Sequence, residues 1–275
     1  MTTPRTAILH YAAPPVVGGV EVVIQAHVQT FVQASYPVAV VAGRGEAEAL
    51  PSGIGWIHLP EMDSQYEPVV QISAALEQGN VPPAFEEMVE HLMAKLDVVL
   101  RDFDTVIVHN IFTKHFNLPL TAALDRLLDA GAIGHCIAWC HDFTWTSPSS
   151  SSKVHAGYPW DLLRTYRPDV TYVVVSERRQ QVLAQLFGCP LEEVRVVYNG
   201  VDPNSLLGLS AEGADLVARR PLVFGQRVHG QGHRDGDDFG KRHFRTRLLR
   251  RGACPARIAR SLAPSSGAAP SGAAT

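Results

Sequence analysis

Along the first two hundred residues, short unbroken apolar runs alternate with longer stretches of helical period. The runs are 7–11 (AILHY), 37–42 (PVAVVA), 55–59 (GWIHL), 105–109 (TVIVH), 133–140, 170–175 (VTYVVV) and 194–197 (VRVV). Runs of this length, flanked by Gly, Pro or polar residues, predict strands, with burial expected over 7–11, 38–41, 106–108, 137–139 and 173–175. Between the first two, Val20, Val23, Ile24, Val28, Phe31 and Val32 recur near helical spacing and predict a helix over 20–32. Further helices are predicted over 68–78 and 84–100, divided by Pro82 and Pro83, and over 118–130, stopped by Gly131. A last helix runs from Ser176, a good N-cap, to Phe187, where Gly188 stops it.

Strands without in-and-out alternation are covered on both faces, and their alternation with helices implies a parallel sheet. The expected fold class is therefore α/β: a Rossmann-like three-layer domain with a parallel sheet over residues 1–205. Ligands of such sheets sit beyond the carboxyl ends of the strands. The loops after Tyr11, His109, Cys140, Val175 and Val197 are thus where chemistry is expected.

Composition narrows the class. With 46% hydrophobic residues and mean hydropathy near zero, the chain has enough apolar material for a core. A net charge of -3 by itself implies no nucleic-acid partner. The average hides a split: residues 219–275 carry 12 of the 24 Lys and Arg but 3 of the 27 Asp and Glu. Cys136, Cys140, Cys189 and Cys254 form no CxxC pair, no zinc spacing is present, and Cys136 and Cys140 are expected as buried free thiols. The apolar stretch 7–23 is broken by Pro14, Pro15, Gly18 and Gly19 and is no membrane span, and no secretory leader is expected. A reducing cytoplasm is the expected setting, with peripheral association at the inner face of the membrane as the alternative.

Four junctions carry candidate chemistry. In the first loop, Gly18 and Gly19 precede a helix, where backbone N–H groups can meet an anion; a Gly pair is equally an ordinary turn. The dinucleotide fingerprint GxGxxG is absent, and 37–42 runs into Gly43-Arg44 without an acidic residue, which disfavours a nicotinamide enzyme. His109-Asn110 end one strand and His141-Asp142 follow another; such pairs serve as caps as often as ligands. Ser176 is first of all a helix cap. The segment 143–160, rich in Ser and aromatic residues, reads as a surface loop, mobile on the acceptor side or disordered.

The run 170–202, ending Tyr198-Asn199-Gly200-Val201-Asp202, resembles the end of the first domain of a family 4 glycosyltransferase, the retaining type with two facing Rossmann-like domains. Asn-Gly supplies easy positive φ for a sharp turn. Tyr198 stands where that family usually has Pro. The order and spacing of the other motifs over about 5–205 are similar to the same domain. The resemblance implies transfer of a sugar from a nucleotide diphosphate sugar to a glycan, lipid or small-molecule acceptor, with retention, and without metal or other cofactor. It implies His141 as the catalytic-site residue that contacts the transferred sugar. It implies Gly18, Gly19, His109, Asn110, Asp142 and Ser176 as substrate- or donor-phosphate-binding residues facing the cleft. Asn199, Gly200 and Asp202 become the interdomain junction. No partner protein is implied.

Beyond Asp202 the resemblance stops. A donor-binding domain should supply a basic residue and two glutamates seven residues apart, yet no Glu follows Glu212. Residues 221–275 hold 8 Gly, 8 Ala, 9 Arg and 4 Pro, with no sustained period. The expectation is a chain truncated or frameshifted near residue 220, whose residues 206–275 form a basic, irregular, disordered tail in place of the donor domain. Activity of this chain is then doubtful. The alternatives are a natural basic arm and, for the whole, a non-catalytic Rossmann-like binding module or pseudo-enzyme.

Overall fold

Runs such as Ala7-Ile8-Leu9 and Val106-Ile107-Val108 have no polar face to show to water, so their strands lie inside a sheet. The computed structural model of the chain describes residues 3–200; Asp202, the 206–275 segment and Cys254 lie outside them. The described residues contain β1 (Thr6–Ala12), β2 (Val38–Arg44), β3 (Gly55–His58), β4 (Thr105–His109), β5 (Cys136–Cys140), β6 (Val170–Val174) and β7 (Val194–Val196). They form one sheet in the order β3-β2-β1-β4-β5-β6-β7, with every neighbouring pair parallel. The helices are α1 (Gly19–Gln33), α2 (Glu67–Glu77), α3 (Pro83–Leu100), α4 (Leu118–Asp129) and α5 (Glu177–Phe187). This is the Rossmann-like α/β architecture expected from the alternation.

Crossover handedness sorts the helices. The chain steps one way from β1 to β3 and the other way from β4 to β7, so right-handed crossovers place α1 on one face and the later helices on the other. One core cluster accordingly joins Leu9, Val41, Val108, Ala138 and Tyr172 of the sheet to Ile72, Phe85, Leu92, Leu96, Leu124 and Leu183 of α2 to α5. On the opposite face α1 buries Ile24 and Val28 and lays His27 against Trp139. The strand order reverses between β1 and β4, and the crevice at their carboxyl ends is where an open parallel sheet takes its ligand.

Local chemistry sets the ends. Ser176 accepts the N–H of Arg179, and Gly188 closes α5 at φ 64. Gly131, at φ 68, caps α4 as its N–H reaches Leu128 O and that of Ala132 reaches Leu127 O. That cap takes up the chain through Ala132, so β5 starts at Cys136 rather than at 133 as the apolar run suggested. β6 ends at Val174, and Val175, expected to be buried, is half-buried at the rim where the chain turns into α5. Gly43 is required by contact: a Cβ there would meet the backbone N of Asp63.

The segment 143–160 departs from expectation. It is packed: Phe143, Thr144, Ser150, Val154 and Trp160 are buried, Trp145 Nε1 donates to Trp160 O at 3.2 Å, and Lys153 pairs with Glu77 of α2. Its serines suggested a loop, but its apolar residues close over α2 and α4. Cys136 and Cys140 are buried free thiols, pushed up to about 12 by burial. Among the described residues, no helix is long and apolar enough to cross a membrane.

Candidate functional site

Three adjacent strands bring histidines to the switch point. His10 lies near the end of β1, His109 ends β4, and His141 follows β5. His10 Nδ1–H donates to the carbonyl of His109 at 3.0 Å. His109 Nδ1 and His141 Nε2 are 3.1 Å apart, and the two rings stack with centroids 5.4 Å apart. His27 of α1 lies 5.3 Å from the His109 ring and edge-on to Trp139 at 4.3 Å.

Burial sets the charge of this column. His109 is wholly buried, and His10 and His141 are 5% and 8% exposed. Burial pulls His141 down to about 4, with Asp142 opposing and Arg179 adding to the shift. His10 and His27 are also brought to about 4 by burial, and His109 lies well below its usual value for the same reason. At neutral pH the rings are therefore uncharged and each carries one proton.

The tautomers follow from which nitrogens have partners. His109 Nε2 is buried without a hydrogen-bond partner. Burying a bare ring nitrogen costs less than burying an orphaned N–H. His109 thus carries its proton on Nδ1 and donates it to His141 Nε2. His141 then holds its own proton on Nδ1 and acts as a hydrogen-bond donor, not as a base.

The backbone around His141 is fixed from β4. Asn110 has φ 60, a left-handed conformation that Asn tolerates. Its Oδ1 accepts the N–H of His141 at 2.8 Å and that of Asp142 at 3.3 Å. Arg179 Nη2 donates to Asp142 Oδ1 at 2.6 Å, and its guanidinium lies 5.3 Å from the Phe143 ring centre. Ser176 binds the Arg179 backbone, so Asp142, Arg179 and Ser176 are one connected group.

The glycine loop joins from the other side. Glu21, in the first turn of α1, lies 3.8 Å from His10 Nε2, and a Cβ at Gly18 would run into its carboxylate. Nothing lies within 4 Å of where a Cβ at Gly19 would stand. Val17 beside them is 93% exposed. The Glu21 carboxylate thus occupies part of the anion position that the helix start offers.

Gly18, Gly19, His109, Asn110, His141, Asp142 and Ser176 therefore share the carboxyl edge of the sheet, as expected. Two expectations need correction. His109 does not face the cleft: it is covered by His141, His27 and Trp139, and it can act only through His141. Neither Asn199 nor Gly200 has positive φ. They are exposed, and no left-handed turn is needed because Val197 N–H binds Val174 O and Tyr198 Oη binds Glu177 Oε1 at 3.1 Å. His10, His27, Glu21 and Lys114 were not singled out from the sequence. The first two hid in apolar patterns; a histidine near the end of each central strand is the signal that could have found His10, and none marks His27 on its helix. Among the described residues, no group of three or more His, Cys, Asp or Glu is placed to hold a metal ion.

Comparison with known proteins adds a family. The model described as Glycosyltransferase Family 4 matches residues 17–205. No curated protein matches the chain. Among solved structures, the lipopolysaccharide outer core galactosyltransferase WaaB in its apo form aligns at 14% identity with TM-score 0.43, over 72% of this chain and 46% of that one. The chain thus spans less than half the length of that enzyme. An FMN-dependent NADH-azoreductase from Bacillus anthracis str. Ames Ancestor, in complex with FMN, aligns at 12% identity with TM-score 0.24, over 78% of this chain and 96% of that one. Alignments this loose assign no chemistry to the chain.

Proposed function

Because this chain belongs to glycosyltransferase family 4, we propose that it supplies the acceptor-side half of an enzyme moving a sugar from a nucleotide diphosphate sugar to an acceptor with retention. The acceptor is a glycan, a lipid or a small molecule, reached in the cytoplasm or at the inner face of the membrane. One observation supports this reading above others: the glycine loop, the His10–His109–His141 column and the Asp142–Arg179 pair converge at the switch point of a parallel sheet.

The residues have distinct tasks in it. His141 Nδ1–H donates to a hydroxyl of the transferred sugar and holds the ring while its bond to the diphosphate breaks. His109 keeps that nitrogen protonated. Asn110 holds the backbone of His141 in place. Asp142 is tied to Arg179 and is not assigned as a base. Departure of the diphosphate calls for positive charge and N–H groups aimed at its oxygens. The start of α1 beside Gly18 and Gly19 offers part of this, once Glu21 gives way, and the donor-binding half must supply the rest. No metal or other cofactor is assigned a role. The sequence past Asp202 carries no glutamate pair that would complete a donor site. The 275-residue chain alone is therefore assigned little or no turnover.

The test is release of nucleotide and transfer of sugar from a panel of UDP- and GDP-sugars. The chain alone is compared with the chain joined to a family 4 donor-binding domain. Background rates are expected for the first and turnover for the second, with His141→Ala lowering the latter about 100-fold. Robust turnover by the chain alone would mean that the donor site is built from residues 206–275. Tight donor binding without turnover in the joined protein would favour a non-catalytic binding module.

A further inference from the structure

Lys114 sits in the loop after β4, five residues beyond His109, where its cation has no counter-ion among the described residues. The loop is fixed, since the N–H groups of Thr113 and Lys114 both reach Asn110 O and the Tyr11 hydroxyl reaches Lys114 O. Lys114 is 8% exposed, and its amine lies 4.7 Å from the centre of the Phe116 ring. Among the described residues its amine has no hydrogen bond and no carboxylate within ion-pair distance, while the carboxylates nearby are engaged elsewhere. Asp142 is held by Arg179 at 2.6 Å and Glu77 by Lys153 at 2.9 Å. His115 between them binds Thr144 Oγ1 through Nδ1 and is uncharged at neutral pH.

Two further cations, Arg179 and Lys153, are near enough to act on Lys114, and each already pairs with a carboxylate. Burial lowers the Lys114 pKa first; Asp142 opposes the shift, and Arg179 and Lys153 add to it. Burial, then Lys114 and Lys153, brings His115 down to about 4. In both shifts burial is the larger cause, and neighbouring cations add to it. The side chain is buried, but the amine at its end is not sealed from solvent, so an anion can reach it. An ammonium offers three rotatable donors on a point charge, which suits the several oxygens of a phosphate. Arg179 brings a second cation and Phe116 a wall.

We propose that Lys114, flanked by Arg179 and Lys153, is the centre of an anion subsite that takes a phosphate group carried by a substrate of the site at β1, β4 and β5. That the phosphate belongs to a substrate rests on the glycosyltransferase reading. That an anion binds rests on the geometry alone. Two sources share this chemistry, a phosphomonoester on the acceptor and the diphosphate of the donor.

The full chain is titrated with inorganic phosphate, glucose 1-phosphate, UDP and neutral glucose by calorimetry, as wild type and as Lys114→Met. Saturable phosphate binding is expected in the wild type, weakened at least about tenfold in Lys114→Met, with no binding of glucose. The Tm of Lys114→Met should stay close to that of wild type, since the amine makes no hydrogen bond or ion pair among the described residues; a purely structural lysine would lower it and leave phosphate affinity unchanged. Beyond inorganic phosphate, a loss shared by glucose 1-phosphate but not UDP identifies the acceptor's phosphate, and one shared by UDP but not glucose 1-phosphate the donor's; either supports the subsite. Absence of saturable phosphate binding, or equal affinity in Lys114→Met, overturns it. Should that variant not fold, the Lys114 Cε resonance of the wild type is followed instead. Its pKa should rise at saturating phosphate, and an unmoved titration overturns the assignment. No turnover enters these measurements, so failure of the subsite and failure of the transferase reading remain distinct.

Discussion

The side-chain oxygen of Asn110 accepts the backbone N–H of His141 at 2.8 Å. The end of β4 therefore fixes where the loop after β5 begins, and a residue 31 positions earlier sets the position of the site histidine. Asn110 is 5% exposed and left-handed, so its own carbonyl is turned to receive Thr113 and Lys114. Asn110→Ala leaves the His141 and Asp142 N–H groups without an acceptor and puts a poorly suited residue at positive φ. It is expected to cost about 3 kcal/mol in urea unfolding. Asn110→Asp keeps the acceptor and should cost less. Equal midpoints for the two variants would remove the assigned role.

Beneath this anchor, the His109–His141 contact decides what His141 can offer a sugar. With His109 Nε2 buried and unpartnered, the proton on His109 belongs on Nδ1 and that on His141 also on Nδ1. Nitrogen-15 NMR of the imidazole rings at neutral pH should show both as Nδ1–H tautomers. Replacing His109 by Phe removes the donor to His141 Nε2 and should let His141 populate both tautomers. Observation of Nε2–H on His141 in the wild type would reverse its role from donor to acceptor on the substrate side.

The seven strands were legible because each is a short apolar run between turn residues, and α5 because Ser176 and Gly188 mark both its ends. The edge on which Gly18, His141 and Ser176 meet followed from strand direction alone. What periodicity could not show is side-chain reach. His10 looked like one more residue of an apolar strand, and His27 like part of the helix face, yet both pack around His109. Lys114 had no motif at all; its interest comes from the absence of a carboxylate partner among the described residues, which only the fold reveals. The segment 143–160 was misjudged because serines outweighed Phe143, Val154 and Trp160, whose burial drives the packing. The Asn199-Gly200 pair favours a left-handed turn, but the hydrogen bonds of Val197 and Tyr198 hold that stretch without one.

Asn117 illustrates how far one unexposed polar side chain can reach. Its Oδ1 caps α4 by accepting the N–H of Leu120 at 3.1 Å, while Nδ2 donates to the carbonyls of Glu61 and Met62 at 2.9 and 3.3 Å. Asn117→Ala loses the cap and leaves two buried carbonyls unsatisfied, an expected loss of about 3 kcal/mol. Asn117→Asp keeps the cap but sets a carboxylate against those carbonyls, so it should be less stable still at pH 7. Denaturant midpoints should fall in the order wild type, Ala, Asp. An Asp variant more stable than Ala would mean that capping outweighs the contact with the 60–62 turn.

Acid should unfold this domain before its carboxylates protonate. His10, His27, His115 and His141 stand at about 4, against an ordinary value of 6.5, and His109 lies well below that value. A histidine whose pKa is lowered in the folded state is protonated first in the unfolded chain. Between 6.5 and 4 the unfolded state therefore binds more protons, and stability falls as pH falls through that window. His10, His27 and His141 each contribute a loss on the order of 3 kcal/mol by pH 4, and His109 and His115 add losses of the same sign. The rings repel one another once charged, so the folded state takes up its protons one at a time and at lower pH than the unfolded chain, and the loss should be steep. Glu61, held near 2 by Lys95 and His91 against the opposing effect of burial, loses its contribution only below the ordinary carboxylate range. A drop in urea midpoint between pH 7 and 5 thus reports on the histidines alone. Replacing His27 with Phe keeps an aromatic ring against Trp139 and removes one proton site, so it should flatten the dependence while leaving the midpoint at pH 7 nearly unchanged. A wild-type midpoint constant from pH 7 to 5 would show that the column takes up protons without cost, and the neutral donor role of His141 would then lose its physical basis.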